Sequence, residues 1–282
     1  MDLQPIFADC GLAVGHYEPV PGGDINHAFC LHTSTGKYFL KANDESRYPL
    51  MFQKEVNGLD SLSIAGNICV PAVIRDGAVA GAQYLLLEWL EKGSPGKEFW
   101  EHFGTGLAEM HRIPQPYFGW HEDNYIGSLV QVNSRHDTWH TFHAECRILP
   151  LVKRLSDTGA FGAKDVKTAE HLCDKLPTLF PVEPPALLHG DLWSGNYLVT
   201  ASGEAAIFDP ATYYGHREMD IAMTKLFGGF DQQFYDAYKN VYPLENGWQQ
   251  RLPLAQLYPL LVHAVLFGGH YIGTVKNIIS RY

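Results

Sequence analysis

A chain of 282 residues, 46% hydrophobic and 18% charged, has enough material for one large domain or two lobes with real cores, and is unlike a disordered polypeptide. Its formal net charge of -10 argues against a nucleic-acid binder, whose phosphate contacts need a basic face, but leaves room for a nucleotide held through a metal ion. No apolar run approaches the roughly 18 residues of a membrane helix, the N-terminus lacks a basic-then-apolar leader, and five scattered cysteines without a CxxC pair suit a reduced, cytoplasmic protein.

The first third reads as strands with one helix. Residues 27–33 and 37–43 are rich in strand formers and are separated by Ser34-Thr35-Gly36, a hairpin signal. From Pro49 to Gly66 the apolar residues Phe52, Val56, Leu59 and Leu62 recur at helical spacing, with proline at the start and glycine at the stop. The unbroken apolar run 83–90 predicts a buried strand. Residues 91–97 are turn-rich, and beyond them the pattern is mainly helical. Phe99, Phe103, Leu107 and Met110 share one helical face, residues 137–156 and 163–176 read as two further helices, and Leu254, Leu257, Leu261 and Val265 share another face. Short strands are expected on either side of 189–196 and within 204–211. The pattern predicts an α+β chain: a β-rich N-terminal lobe with one helix over 1–90, and a larger helical lobe over 91–282. Ligands favour the cleft between such lobes.

The segment LLHGDLWSGNYLV, residues 187–199, carries the chemistry. His189, Asp191 and Asn196 follow the pattern H-x-D-x4-N of kinase catalytic loops, in which the Asp meets the acceptor hydroxyl and the Asn holds a metal ion. The alternative for this motif alone is a structural turn with an Asn cap. Asp209 stands eighteen residues after Asp191, at the end of an apolar strand, where a kinase-like site places its main metal ligand. Lys41, on the strand 37–43, and Glu55, on the following helix, match the phosphate-gripping lysine and its partner. Gly22 and Gly23, between two strand-like segments, can offer backbone N–H groups to phosphate. Each element also has a bland reading as a turn or a surface ion pair. Their order along the chain is that of the protein-kinase-like fold, which argues for them together.

The segments LLHGDLWSGN, FDPATYYGHREMDIAM and LFGGF closely resemble the fructosamine kinases, or ketosamine-3-kinases, relatives of aminoglycoside and choline kinases. The resemblance runs over essentially the whole chain. It implies that ATP, with Mg²⁺, phosphorylates the 3-hydroxyl of a ketosamine, after which the adduct breaks down and frees the amine. It further implies Asp191 as catalytic base, Asn196 and Asp209 as Mg²⁺ ligands, and Glu88, Trp89 and Leu90 as the segment reading adenine. Trp193, His216 and Glu218 would then line the acceptor site, and Asp220 would brace the catalytic loop from below. The acceptor is expected to be a free or protein-bound ketosamine, with neither nucleic acid nor membrane as partner and either a monomer or a homodimer as the assembly. The rival readings are an aminoglycoside-, choline- or homoserine-type phosphotransferase and a silent nucleotide binder. Apart from these, His136, His140, His143 and Cys146 fall three or four apart, on one helical face that is either a metal site or an ordinary packed and solvated face.

Overall fold

The computed structural model describes residues 1–22, 25–65 and 68–282. Helix α1 (Gln4–Cys10) precedes strands β1 (Val14–Pro19), β2 (His27–Thr33) and β3 (Gly36–Asp44); helix α2 (Met51–Ile64) precedes β4 (Val73–Val79) and β5 (Ala82–Glu88). The five strands form one antiparallel sheet in the order β1-β2-β3-β5-β4. Both sheet faces are covered, which explains why β5 reads as an unbroken apolar run. Tyr84 and Leu86 point to the side holding Leu3 and, on α1, Ile6 and Phe7, while Leu85 and Leu87 point to Phe52 and Leu59 of α2. The predicted stop of α2 at Gly66 lies outside the described residues.

The rest of the chain is mostly helical. Helix α3 (Phe99–Arg112) leads to the hairpin β6 (Asn124–Ile126) and β7 (Leu129–Gln131). The expected helix over 137–156 is interrupted. It runs as α4 (Trp139–Phe142), passes through a π-helical turn (His143–Ile148) and resumes as α5 (Leu149–Asp157). Pro150 has no N–H to give the carbonyl of Cys146, and the Arg147 guanidinium donates to that oxygen at 3.2 Å. Helix α6 (Ala163–Leu179) follows.

Four three-residue strands come next: β8 (Ala186–Leu188), β9 (Tyr197–Val199), β10 (Ala205–Ile207) and β11 (Tyr213–Gly215). β9 pairs with β10 as a hairpin, and β11 turns back onto β8. Helices α7 (Glu218–Met223), α8 (Gln232–Val241), α9 (Trp248–Ala255), α10 (Leu257–Phe267) and α11 (His270–Ile279) complete the chain. The single helical face expected over Leu254–Val265 is split between α9 and α10, at Gln256. Phe99, Phe103, Phe230 and Phe234 are buried together between α3 and α8 and form the aromatic centre of this body.

The sheet is tied to the helical body through the β9–β10 hairpin. The Cys69 N–H donates to the Ala205 carbonyl at 3.2 Å, and the Ile207 N–H donates to the Cys69 carbonyl at 2.9 Å. On the other strand of the hairpin, the Gly93 N–H donates to the Val199 carbonyl at 2.9 Å. At Gly93 a side chain would stand 2.2 Å from the Thr200 carbonyl oxygen, so only glycine permits this approach.

Candidate active site

A cleft of about 600 Å³ opens between the sheet and the helical body. Gly22, Lys41, Glu55, Glu88, Trp89, Leu90, Asp191, Trp193, Asn196 and Asp209 all line it. Gly23 lies outside the described residues. Residues singled out from Gly22 to Asp209 of the sequence thus converge on one cavity.

The sheet supplies one wall. Lys41, on β3, is almost fully buried and donates to Glu55 Oε1 at 2.7 Å and also to the Asp209 carboxylate. Burial works against the ammonium charge, but the carboxylates of Asp209 and Glu55 outweigh it and hold the Lys41 pKa above its ordinary value. Glu55 comes close because α2 packs tightly on the segment after Asp209. A Cβ at Gly58 would meet Thr212 Oγ1 at 3.0 Å and Pro210 Cγ at 3.3 Å. At the end of β5, Glu88 is pinned to Ala72 twice, by its N–H at 2.9 Å and by its carboxylate at 3.2 Å.

The opposite wall is the loop between β8 and β9. Asp220, fully buried at the start of α7, accepts the His189 N–H at 2.8 Å and the Gly190 N–H at 2.9 Å. Its other neighbour is His111 Nε2 at 3.3 Å. Burial alone would raise the Asp220 pKa; the His111 hydrogen bond and the charges of His111 and His189 more than reverse that and keep it below the usual carboxylate range. Gly190 has φ +84°, and a Cβ there would stand 2.1 Å from the Ala211 carbonyl oxygen. The glycine of the HGD motif is therefore a steric requirement of the turn. His189 locks the other side of the loop through Nε2, 3.0 Å from the Phe208 carbonyl oxygen.

Asp191 and Asn196 meet across this loop. Asn196 Nδ2 donates to the Asp191 carbonyl at 2.8 Å and to Asp191 Oδ2 at 3.0 Å. Burial pushes the Asp191 carboxyl up to about 8; the Asn196 amide pulls it back, and the charges of Asp209 and Asp220 push it further. Asp209 sits at φ +56°, a left-handed conformation uncommon outside glycine and most accessible to Asp and Asn. The β6–β7 hairpin props the backbone just beyond it. Asn124 Nδ2 donates to the Thr212 carbonyl at 2.8 Å, and Gln131 Nε2 donates to the Ala211 carbonyl at 3.0 Å.

Trp193 lies half-buried against its own loop. A side chain at Gly195 would be 2.3 Å from Trp193 Cζ2, so the glycine of WSGN gives the indole its place. Phe227 meets the indole edge-on, with ring centroids 5.9 Å apart. Phe227, Gly195, Tyr125 and Ile126 are site or lining residues that sequence reasoning did not pick out; the LFGGF and WSGN segments held the signal for the first two.

Two expectations need correction. His216 and Glu218 do not line the cleft. His216 is fully buried beside Phe180 and Trp139, with Nε2 3.7 Å from Glu183. Glu218 is buried in a two-pronged pair with Arg251, at 2.9 Å to Nε and 2.5 Å to Nη2. The reason is topological: β11 turns back onto β8 and carries residues 216–218 into the core behind the loop. The His-rich segment matches its ordinary packed and solvated reading, since its imidazoles do not converge. His136 Nε2 reaches Cys146 Sγ at 3.6 Å, but His140 turns to Thr138 and His143 stacks on Trp139.

The fructosamine kinase family model matches residues 8–282. The chain belongs to the fructosamine kinase family. It is 44% identical over 267 residues to a probable ketoamine kinase of Synechocystis, covering 93% of this chain and 88% of that one. It is 37% identical over 270 residues to the chloroplastic protein-ribulosamine 3-kinase of Arabidopsis thaliana, covering 93% of this chain and 81% of that one. A crystal structure of a candidate fructosamine-3-kinase from Thermobifida fusca superposes with a TM-score of 0.86 at 38% identity, covering 96% and 94% of the two chains. An aminoglycoside phosphotransferase crystallised with ADP and hygromycin B superposes at 0.64 and 16% identity over 99% and 98%, a likeness of fold alone. As a fructosamine kinase the chain is a phosphotransferase on a kinase-like α+β fold, and kinase chemistry implies ATP use. Among the described residues no helix is long and apolar enough to cross a membrane.

Proposed function

We propose that this fructosamine kinase transfers the γ-phosphoryl group of ATP to the 3-hydroxyl of a ketosamine, either free or attached to a protein. The observation that carries the reading is the meeting of Asp191, Asn196 and Asp209 on one wall with the Lys41–Glu55 pair on the other. Family membership supports the acceptor class.

The donor set suits a magnesium ion. Asn196 spends its amide N–H on Asp191, which leaves its Oδ1 to join the Asp209 carboxylate as a pair of hard oxygen ligands. Bound there, Mg²⁺ would supply charge neutralisation on the phosphates. Lys41 binds and orients the phosphate chain as its contact with Asp209 is exchanged for phosphate oxygens. Asp191 accepts a hydrogen bond from the 3-hydroxyl, aligns that oxygen for in-line attack, and takes its proton as the new P–O bond forms and the bond from the γ-phosphorus to the bridging oxygen breaks, releasing ADP. The Trp193 ring, with Phe227 at its edge, offers an apolar platform for the C–H face of the sugar.

The test pairs one variant with a panel of acceptors. Asp191→Asn is expected to lose about 10²–10⁴-fold in kcat while nucleotide affinity holds, because only the proton acceptor is removed. Wild-type turnover in that variant would rule out Asp191 as base. Ribulosyl- and fructosyl-lysine, free and protein-bound, are compared with an aminoglycoside and choline by ADP release. Turnover confined to the last two would overturn the ketosamine reading.

A further inference from the structure

Away from the kinase cleft, one group of ligand-type side chains converges among the described residues: Glu18, Cys30 and His32. In the register of β1 with β2, Glu18 stands opposite Cys30 and His16 opposite His32. Residues two apart on a strand share a face, so these four side chains form a square on one side of a two-stranded ribbon. Glu18 Oε1 lies 3.1 Å from His32 Nε2, and Cys30 Sγ lies 3.7 Å from the same nitrogen. All three ligand atoms fall within 4.8 Å of one another. The His16 and His32 rings are 5.5 Å apart, centroid to centroid.

Those separations can be compared with a tetrahedral site. Metal–sulfur and metal–nitrogen bonds of about 2.3 and 2.05 Å at the tetrahedral angle place S and N about 3.6 Å apart, and two light donors about 3.3 Å apart. The observed edges, 3.7 and 3.1 Å, are close to both values. Access and anchoring are also divided suitably. Cys30 is buried, whereas Glu18 and His32 keep 57% and 35% of their side-chain surface exposed, so an ion can enter from solvent. Lys37, cross-strand from His32, is already paired with Glu91 at 2.6 Å.

We propose that Glu18, Cys30 and His32 form a binding site for a borderline-soft divalent transition ion of the zinc type, with His16 within reach as fourth ligand. The donor set of thiolate, imidazole and carboxylate favours such an ion over Mg²⁺ or Ca²⁺, which take oxygen donors. Burial keeps the Cys30 thiol protonated in the empty ribbon; binding replaces its proton by the metal, and the proton leaves to solvent. The ion ties β1 to β2 directly behind the turn over the cleft, since Ala28, two residues before Cys30, lines that cleft. The site stands independently of the kinase reading.

The experiment uses the full chain in excess Mg²⁺, so that the oxygen ligands of the cleft are filled. Co²⁺ is titrated while thiolate-to-cobalt charge-transfer absorption is followed, and Zn²⁺ is then added in competition. One equivalent of Co²⁺ is expected to produce the band, and Zn²⁺ to remove it. Cys30→Ser should abolish the band. Cys146→Ser, which alters the Cys146–His136 contact elsewhere in the chain, should leave it intact. Because Glu18 is exposed, Glu18→Gln preserves the fold and should weaken Co²⁺ binding at least about tenfold, the loss typical of even indirect metal-site changes. Absence of the band in the wild type, its survival in Cys30→Ser, or unchanged affinity in Glu18→Gln would each overturn the site.

Discussion

The ammonium of Lys41, carried on the sheet, touches the carboxylate of Asp209, carried on the helical body. The same ammonium holds Glu55 at 2.7 Å, so one buried cation joins both walls of the cleft. On the function proposed above, an entering nucleotide would take Lys41 from Asp209 while Glu55 keeps it in place.

That exchange separates two variants. Lys41→Met removes the phosphate contact and should lower kcat/KM for ATP by about 10²–10³-fold, the scale of a lost transition-state donor. Glu55→Gln leaves Lys41 with Asp209 as its one charged partner, which strengthens the contact the nucleotide must break. Its KM for ATP should rise by a larger factor than its kcat falls. Steady-state kinetics at saturating acceptor checks both, and equal losses in KM and kcat for Glu55→Gln would contradict the exchange.

The close fit of Gly195 beneath Trp193 gives a different signature. A methyl group at 195 would stand 2.3 Å from the indole, so Gly195→Ala must displace the ring. If the ring is the sugar platform, KM for the ketosamine should rise about tenfold, the worth of roughly 1.4 kcal/mol of lost contact, while nucleotide affinity is unchanged. Trp193→Phe should be milder than Trp193→Ala. The measurement is a pair of titrations, acceptor kinetics and displacement of a fluorescent nucleotide; a parallel loss of nucleotide affinity would mean that the loop itself has collapsed.

Stability should fall on the acid side through His143. This ring is fully buried against Trp139, and neither nitrogen has a hydrogen-bond partner among the described residues. Burial, then the charges of Arg147 and His216, push its pKa down from 6.5 to about 3. The unfolded chain takes up this proton as pH drops below about 6.5, whereas the folded chain does not, so folding stability is lost between pH 6.5 and about 3. The slope is at most about 1.4 kcal/mol per pH unit for this one group. Urea denaturation at pH 7.5 and 5 should show a smaller acid loss in His143→Leu than in the wild type; an identical loss would assign the effect to other groups.

Much of this molecule is legible in the sequence where a residue faces apolar surroundings or a steric limit. Strands β2, β3 and β5 and helix α2 declare themselves because their apolar residues meet cores on the sheet faces. β1 and β4 do not, since they lie at the two sheet edges and most of their residues face solvent, which removes the periodic signal. The loop residues Asp191 and Asn196 are five apart and meet through a local turn, so spacing alone was informative about them. His216 and Glu218 are a different matter. Their place in the segment after Asp209 suggests an acceptor site, and only the return of β11 onto β8 shows that Glu183 and Arg251 are the partners they serve.

The hydrogen bonds of Cys69 and Gly93 to the two strands of the β9–β10 hairpin place a pivot along one border of the cleft. A relative motion of the two walls that kept these bonds would be a rotation about that border. Atoms beside the hairpin would shift little in such a rotation, and the displacement would grow with distance from it across the opening. A molecule lodged far from the hairpin would then have the greater leverage over the width of the cleft, and one pressed against the hairpin almost none.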